Sequence, residues 1–130
     1  MNISGSNKVL YQECKKLYRK ILLEKYGHKC LRCSKTYQLQ VSHIYPVGKT
    51  RKLELDLENA VILCISCHFW FFHKNPLEAA EWLKQTLPKE QLDRLVLRKG
   101  QTGEGSQDFK LIKIYLEQEL KKLKLKTPSN

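Results

Sequence analysis

The chain lacks any apolar run approaching the roughly 20 residues that a membrane-spanning helix needs, so no such span is expected within it. Its first residues, MNISGSNK, lack the basic segment and apolar stretch of a secretory leader. There is no internal repeat. Acidic residues are scarce: 13 Asp plus Glu stand against 24 Lys plus Arg, a formal charge of +11. An excess of that size points to a polyanionic partner, namely DNA, RNA or an anionic membrane surface, the bland alternative being a solvated basic surface. A length of 130 residues gives about one domain, with a modest core of the kind that often needs a staple. The expectation is an intracellular, cytoplasmic protein, whose five cysteines serve as metal ligands or free thiols rather than disulfides.

Apolar residues at Leu10, Cys14, Leu17, Tyr18, Ile21 and Leu22 recur at steps of three and four, which predicts an amphipathic helix from Lys8 to Tyr26 stopped by Gly27. The opposite face carries Lys15, Lys16, Arg19 and Lys20. YQLQVSHI, Tyr37 to Ile44, alternates as a strand does, with Leu39, Val41 and His43 on one face. A charged loop follows, then a short apolar strand over 60–63. HFWFFHKN reads as a short helix ending before Pro76, with Trp70, Phe71 and Phe72 as core residues. Pro76 to Leu87 reads as a helix with Pro in its first turn and Asn75 as N-cap. A further helix spans Lys89 to Arg98, and a last amphipathic helix spans Phe109 to Leu125.

Two CxxC pairs, Cys30 with Cys33 and Cys64 with Cys67, supply four thiolates, the donor set of a tetrahedral structural zinc. The 30 residues between them exceed the 15 to 20 or so of a compact zinc ribbon, so the insertion holds something else. Cys14 has no paired cysteine and reads as a buried small hydrophobe. His28 reads as a capping or surface residue.

The insertion and its edge carry His43, Asn59 and His68 in the order strand, loop, helix. Phosphodiester hydrolysis calls for a base near neutral pH, for which imidazole is suited. It also calls for a metal with open positions on N or O ligands, and a polar amide can orient the base.

With CLRC, VSHIYP and ENAVILCISCH in that order, residues Cys30 to His73 resemble the HNH endonucleases with the ββα-metal fold. The resemblance implies an α+β chain: a small ββα-metal core with two zinc knuckles, flanked by N-terminal and C-terminal helices. The expected layout is an N-terminal helix over 1–29, the core over 30–75, a helical extension over 76–99, a linker over 100–108 and a final helix and tail over 109–130. It further implies that His43 is the general base, that Asn59 positions the base or helps hold the metal, and that His68 is a catalytic-metal ligand beside the structural Zn²⁺ of the four cysteines. The catalytic divalent metal is expected to be Mg²⁺ or Mn²⁺, with Ni²⁺ or Zn²⁺ as further candidates. Products would carry 5′-phosphate and 3′-hydroxyl ends.

Two departures from the family pattern bear on activity. Many members place Asp or His before the base as a metal ligand, whereas here that position is Ser42, a weaker candidate for a hard dication. Some members carry a further histidine four residues after the one aligned with His68, where this chain has Phe72. His73 comes five on and, at 100° per residue, lies about 140° round an α-helix from His68; it is a ligand candidate only if the helix departs from that geometry.

Lys49, Arg51 and Lys52 occupy the loop between base and asparagine and are the candidate phosphate contacts. The expectation is a metal-dependent endonuclease acting on DNA, with duplex as the expected substrate form, of phage or mobile-element type. The alternatives are a weak or inactive zinc-stabilised nucleic-acid-binding module, which Ser42 favours, and a protein-docking module using the last helix.

Overall fold

The structure, a computed structural model, describes residues 4–48, 51–101 and 107–126. Lys49, the middle of the linker read at 100–108 and the tail beyond 126 lie outside these residues.

Helix α1 runs over Ser4–Lys25, starting earlier than the apolar period predicts. Cys14, Tyr18, Ile21 and Leu22 are buried on one of its faces. It stops at Gly27, which takes φ +74°, a left-handed backbone that costs glycine little. The His28 amide then donates to the Leu23 carbonyl at 2.8 Å, closing the helix end.

Strands β1, Leu39–His43, and β2, Ala60–Cys64, pair antiparallel in the register Leu39↔Cys64 through His43↔Ala60. Every residue of β2 is buried, so both faces of this ribbon are covered. A bare two-stranded ribbon is marginal in water; here α1 and the later helices close over it. On β1 the simple alternation does not hold. Leu39 and Ser42 are the buried residues, while Val41 and His43 are half-buried.

After the second knuckle, Cys67–His73 forms a π-helix rather than an α-helix. The Lys74 amide reaches five residues back to the Phe69 carbonyl at 3.2 Å. Four consecutive aromatic positions pass right round any helix, so only part of FWFF can face the core. Phe72 packs on the core and Phe71 is half-buried, but Phe69 and Trp70 are exposed. The expectation that Trp70 is a core residue is thereby overturned.

Helix α2 covers Pro76–Thr86, with Pro in its first turn as expected. Asn75 flanks it but does not cap it through its side chain; its Nδ2 donates back to the Trp70 carbonyl at 2.8 Å. Helix α3 covers Lys89–Gln101 and α4 covers Phe109–Lys126. α4 lies along α1: the rings of Tyr11 and Phe109 are 5.2 Å apart, and the Cys14 thiol donates to the Phe109 carbonyl at 3.4 Å. One apolar cluster joins α1, both strands, Leu83 of α2 and Leu116 of α4. The fold is α+β: a two-stranded sheet and knuckle pair enclosed by helices. No helix among the described residues is long and apolar enough to cross a membrane.

Candidate functional site

The two CxxC turns are built alike. In each, the amide of the second cysteine turns toward the sulfur of the first, Cys33 N to Cys30 Sγ at 3.4 Å and Cys67 N to Cys64 Sγ at 3.5 Å. The Leu31 amide donates to the Ile62 carbonyl at 2.9 Å, tying the first knuckle to the strand that delivers Cys64. The four Sγ atoms all lie within 4.8 Å of one another, with three of the residues buried and Cys33 exposed. Four sulfurs at that spacing fit a tetrahedral ion, and an all-cysteine set is that of structural zinc. Burial opposes ionisation of Cys30, but backbone hydrogen bonds at Cys33, Cys64 and Arg32 outweigh it and bring the thiol down to about 7. Burial pushes the Cys67 thiol up to about 12 despite the Arg32 guanidinium. Binding a cation would favour the thiolate form of the cluster.

His43 ends β1, half-buried. Its Nε2 lies 2.9 Å from the Glu54 carbonyl oxygen. A carbonyl only accepts, so Nε2 carries the proton and the lone pair of the neutral ring sits on Nδ1. The Tyr18 ring of α1 lies parallel to the imidazole, 8° between planes and 5.9 Å between centroids. Tyr18 also donates its hydroxyl to the Asp56 carbonyl at 2.7 Å, and the Tyr11 hydroxyl bonds the Glu54 carboxylate.

Asn59 is fully buried at the end of a short 3₁₀ turn, Leu57–Asn59. Its Oδ1 accepts from the Tyr45 amide at 2.8 Å. Its Nδ2 donates to the carbonyls of Leu53 at 3.0 Å and Tyr45 at 3.2 Å. The amide therefore laces both ends of the loop that presents the Glu54 carbonyl to His43. The structure directs its polar atoms at backbone and does not bring them to the histidine cluster as metal ligands.

His68 and His73 lie one turn apart on the π-helix, with their Nε2 atoms 3.1 Å apart. The α-helical period would hold them apart; the i to i+5 period stacks them on one face. The Ser42 hydroxyl lies 2.6 Å from His68 Nδ1, on the far side of the ring from His73. Ser42 is thus a buried partner of a ligand candidate, not an open metal-facing group. Burial, and then the neighbouring His73 and His43, hold His68 below its ordinary pKa of 6.5, so the ring is neutral at neutral pH. Two ring nitrogens 3.1 Å apart suit adjacent positions on one ion with metal–nitrogen bonds of about 2.1 Å.

Of the candidate phosphate contacts, Arg51 and Lys52 are exposed on a 3₁₀ turn, Arg51–Leu53, and Lys49 lies outside the described residues. Gln107, just ahead of α4, donates to the Arg51 carbonyl at 2.7 Å. His28 is a surface residue paired with Glu24 at 3.2 Å, and Cys14 is buried away from the knuckles. Sequence reasoning missed Tyr18, which reads there as one more apolar helix position. It also missed the Glu54 carbonyl, a backbone group that no motif marks.

The family model for HNH endonuclease matches residues 30–69 of the chain, from the first knuckle to the residue after His68. Among curated proteins and solved structures, no match to the chain was found. The match takes in His43, Asn59 and His68, but stops short of His73 and leaves out Tyr18.

Proposed function

Since residues 30–69 carry the HNH endonuclease signature, we propose that the chain is a metal-dependent DNA endonuclease that hydrolyses phosphodiester bonds. The observation that carries this reading is the 2.9 Å contact between His43 Nε2 and the Glu54 carbonyl oxygen. Its Nε2–H is committed to the Glu54 carbonyl, which leaves Nδ1 to accept a proton from an attacking water. Asn59 acts as a positioning residue: it holds the loop whose carbonyl sets that tautomer. Tyr18 restrains the imidazole plane from α1.

His68 and His73 would hold the catalytic divalent metal through Nε2. In this reading His68 Nδ1–H donates to the Ser42 oxygen, which leaves the Nε2 lone pair outward. A divalent metal bound there would polarise the phosphate and offset charge on the leaving oxygen. An imidazole pair without a carboxylate favours Ni²⁺ or Zn²⁺ over Mg²⁺ or Mn²⁺, which would draw their remaining ligands from phosphate and water oxygens. Arg51 and Lys52 supply salt-sensitive phosphate contacts, and duplex DNA is the substrate proposed. An intracellular setting suits thiols that must stay reduced to hold zinc.

A second reading, a zinc-stabilised nucleic-acid-binding module with weak or no cleavage, draws on the missing carboxylate at Ser42. One experiment separates them. Supercoiled plasmid is incubated with the protein and Mg²⁺, Mn²⁺, Ni²⁺ or Zn²⁺ in turn, with added chelator and His43→Ala as controls. Nicked or linear DNA lost in both controls supports the nuclease. A salt-sensitive gel shift without cleavage under any metal supports the binding module.

A further inference from the structure

The bulkiest apolar side chain left in water among the described residues stands on the π-helix that carries His68 and His73. Trp70 is 65 % exposed and Phe69 45 %, and they follow His68 directly on the π-helix. The two rings meet edge to face, 5.0 Å apart at 87°. No other ring contact to Trp70 is present among the described residues, and its backbone is held by the Asn75 amide on its carbonyl. One cation touches the pair and another covers the next ring. The Lys74 ammonium sits 5.2 Å from the Phe69 ring centroid, and the Arg32 guanidinium covers Phe71 at 3.8 Å.

Two adjoining exposed aromatic rings form a patch of the kind that marks an interaction site, but an apolar protein surface would have to desolvate the Lys74 ammonium without compensation. A partner that offers flat π-faces and negative charge together satisfies both. We infer that Trp70 stacks on an unstacked nucleobase of a strand bound along the exposed side of the π-helix, with Phe69 buttressing the indole edge and Lys74 meeting the adjoining phosphate. This rests on the nucleic-acid reading above and deepens it: the bound strand is opened or single-stranded where it meets the π-helix. Aromatic–base stacking is tolerant of sequence, so the contact sets strand geometry rather than base identity.

The chain has two tryptophans, and the second, Trp82, is half-buried against Phe71. Trp82→Phe therefore leaves Trp70 as the sole tryptophan emitter in an otherwise intact, zinc-loaded protein. It is titrated, without added catalytic metal, with an oligothymidylate of about 12 residues, with the same strand made abasic, and with a duplex. The expected result is saturable quenching by the oligothymidylate and little by the abasic strand. Trp70→Ala should weaken oligothymidylate binding roughly 5- to 100-fold while leaving the salt dependence unchanged, because no phosphate contact is removed. Lys74→Ala should instead shallow the salt slope.

Equal quenching by base-bearing and abasic strands would overturn the inference, as would unchanged affinity of Trp70→Ala. Quenching that rises with protein concentration alone would overturn it in favour of contact between copies of the chain. Failure of every probe to bind would be different in kind: it would remove the nucleic-acid reading itself.

Discussion

His68 and His73 are five residues apart in the chain, and their Nε2 atoms are 3.1 Å apart. The π-helix makes this so, and the buried Ser42 hydroxyl at 2.6 Å from His68 Nδ1 fixes the nearer ring. Ser42, at the position where many HNH endonucleases place Asp or His, is thereby the partner of a ligand candidate. In metal centres, groups that hold the far nitrogen of a ligating histidine tune both its orientation and its basicity.

Ser42→Ala should accordingly lower affinity for Mn²⁺ or Ni²⁺ by about 10- to 100-fold with the zinc knuckles intact. Isothermal titration of the zinc-loaded protein reads this directly. His73→Ala should lose at least as much. Undiminished affinity in His73→Ala would show that the close histidine pair is not the metal site.

Asn59 makes three backbone bonds from a fully buried position. Asn59→Ala would leave the Tyr45 amide and carbonyl without this partner and take one of two donors from the Leu53 carbonyl, which keeps the Asp56 amide at 3.3 Å. Unsatisfied buried groups cost about 1–3 kcal/mol each, with relaxation reducing the sum, so a loss of about 2–4 kcal/mol is expected. Urea unfolding should show a lower midpoint at similar slope. Asn59→Asp keeps the acceptor for the Tyr45 amide but loses both donated bonds, and should fall between wild type and Asn59→Ala. Cleavage should drop further than stability alone explains in both variants, because the Glu54 carbonyl that sets His43 rides on the same loop.

Much of this arrangement is legible in the sequence. Two CxxC pairs bring four thiols together wherever the fold permits, and His43, Asn59 and His68 fall on strand, turn and helix as their order implies. The helices follow from apolar spacing, with Gly27 and Pro76 as punctuation. What stays illegible has a common physical cause: it depends on geometry that residue types do not encode locally. The π-helix inserts an extra residue per turn without a compositional mark, so His73 reads as pointing away. Ser42 reads as a deficient ligand because its partner, His68, is 26 residues distant. Tyr18 reads as a core residue and is one, yet its parallel ring against His43 is a tertiary fact. Trp70 reads as core because hydrophobicity carries no sign of the direction in which the π-helix turns it.

The knuckles should govern folding as much as any apolar contact. They anchor β2 and the start of the π-helix, and three of the four cysteines are buried. Structural zinc sites commonly supply folding free energy outright. Removing the metal with a strong thiol-competent chelator, or Cys64→Ser, should reduce helical and near-ultraviolet circular dichroism together, and zinc should be recovered at one per chain by elemental analysis. A chain that keeps its tertiary signal after losing its zinc would show that the apolar core is sufficient alone.

Helix α3 is tied to the segment that joins Glu54 to Asn59. Arg94 and Arg98 bind Glu58 at 2.5 and 2.8 Å, and Arg98 also binds Asp56 at 2.6 Å. Gln91 donates to the Glu58 carbonyl at 2.9 Å. The hydrogen bond from Arg94, reinforced by Arg98 and opposed by burial, holds Glu58 below its ordinary carboxylate value of 4.5. A carboxylate whose folded pKa is depressed stabilises the fold above its unfolded value. That stabilisation is lost as pH falls below 4.5 and through the folded value, since the unfolded chain then binds the proton more readily. Urea midpoints measured from neutral pH downward should therefore fall more steeply in this range for the wild type than for Glu58→Gln. Glu58 is only partly buried and Arg94 is exposed, so added salt should shrink the difference. Arg98→Ala, which frees Asp56 as well, should lower stability by about 1–2 kcal/mol at neutral pH and slow cleavage, because the segment it releases joins Glu54 to Asn59. Parallel acid profiles for wild type and Glu58→Gln would show that α3 merely rests against this loop and does not clamp it.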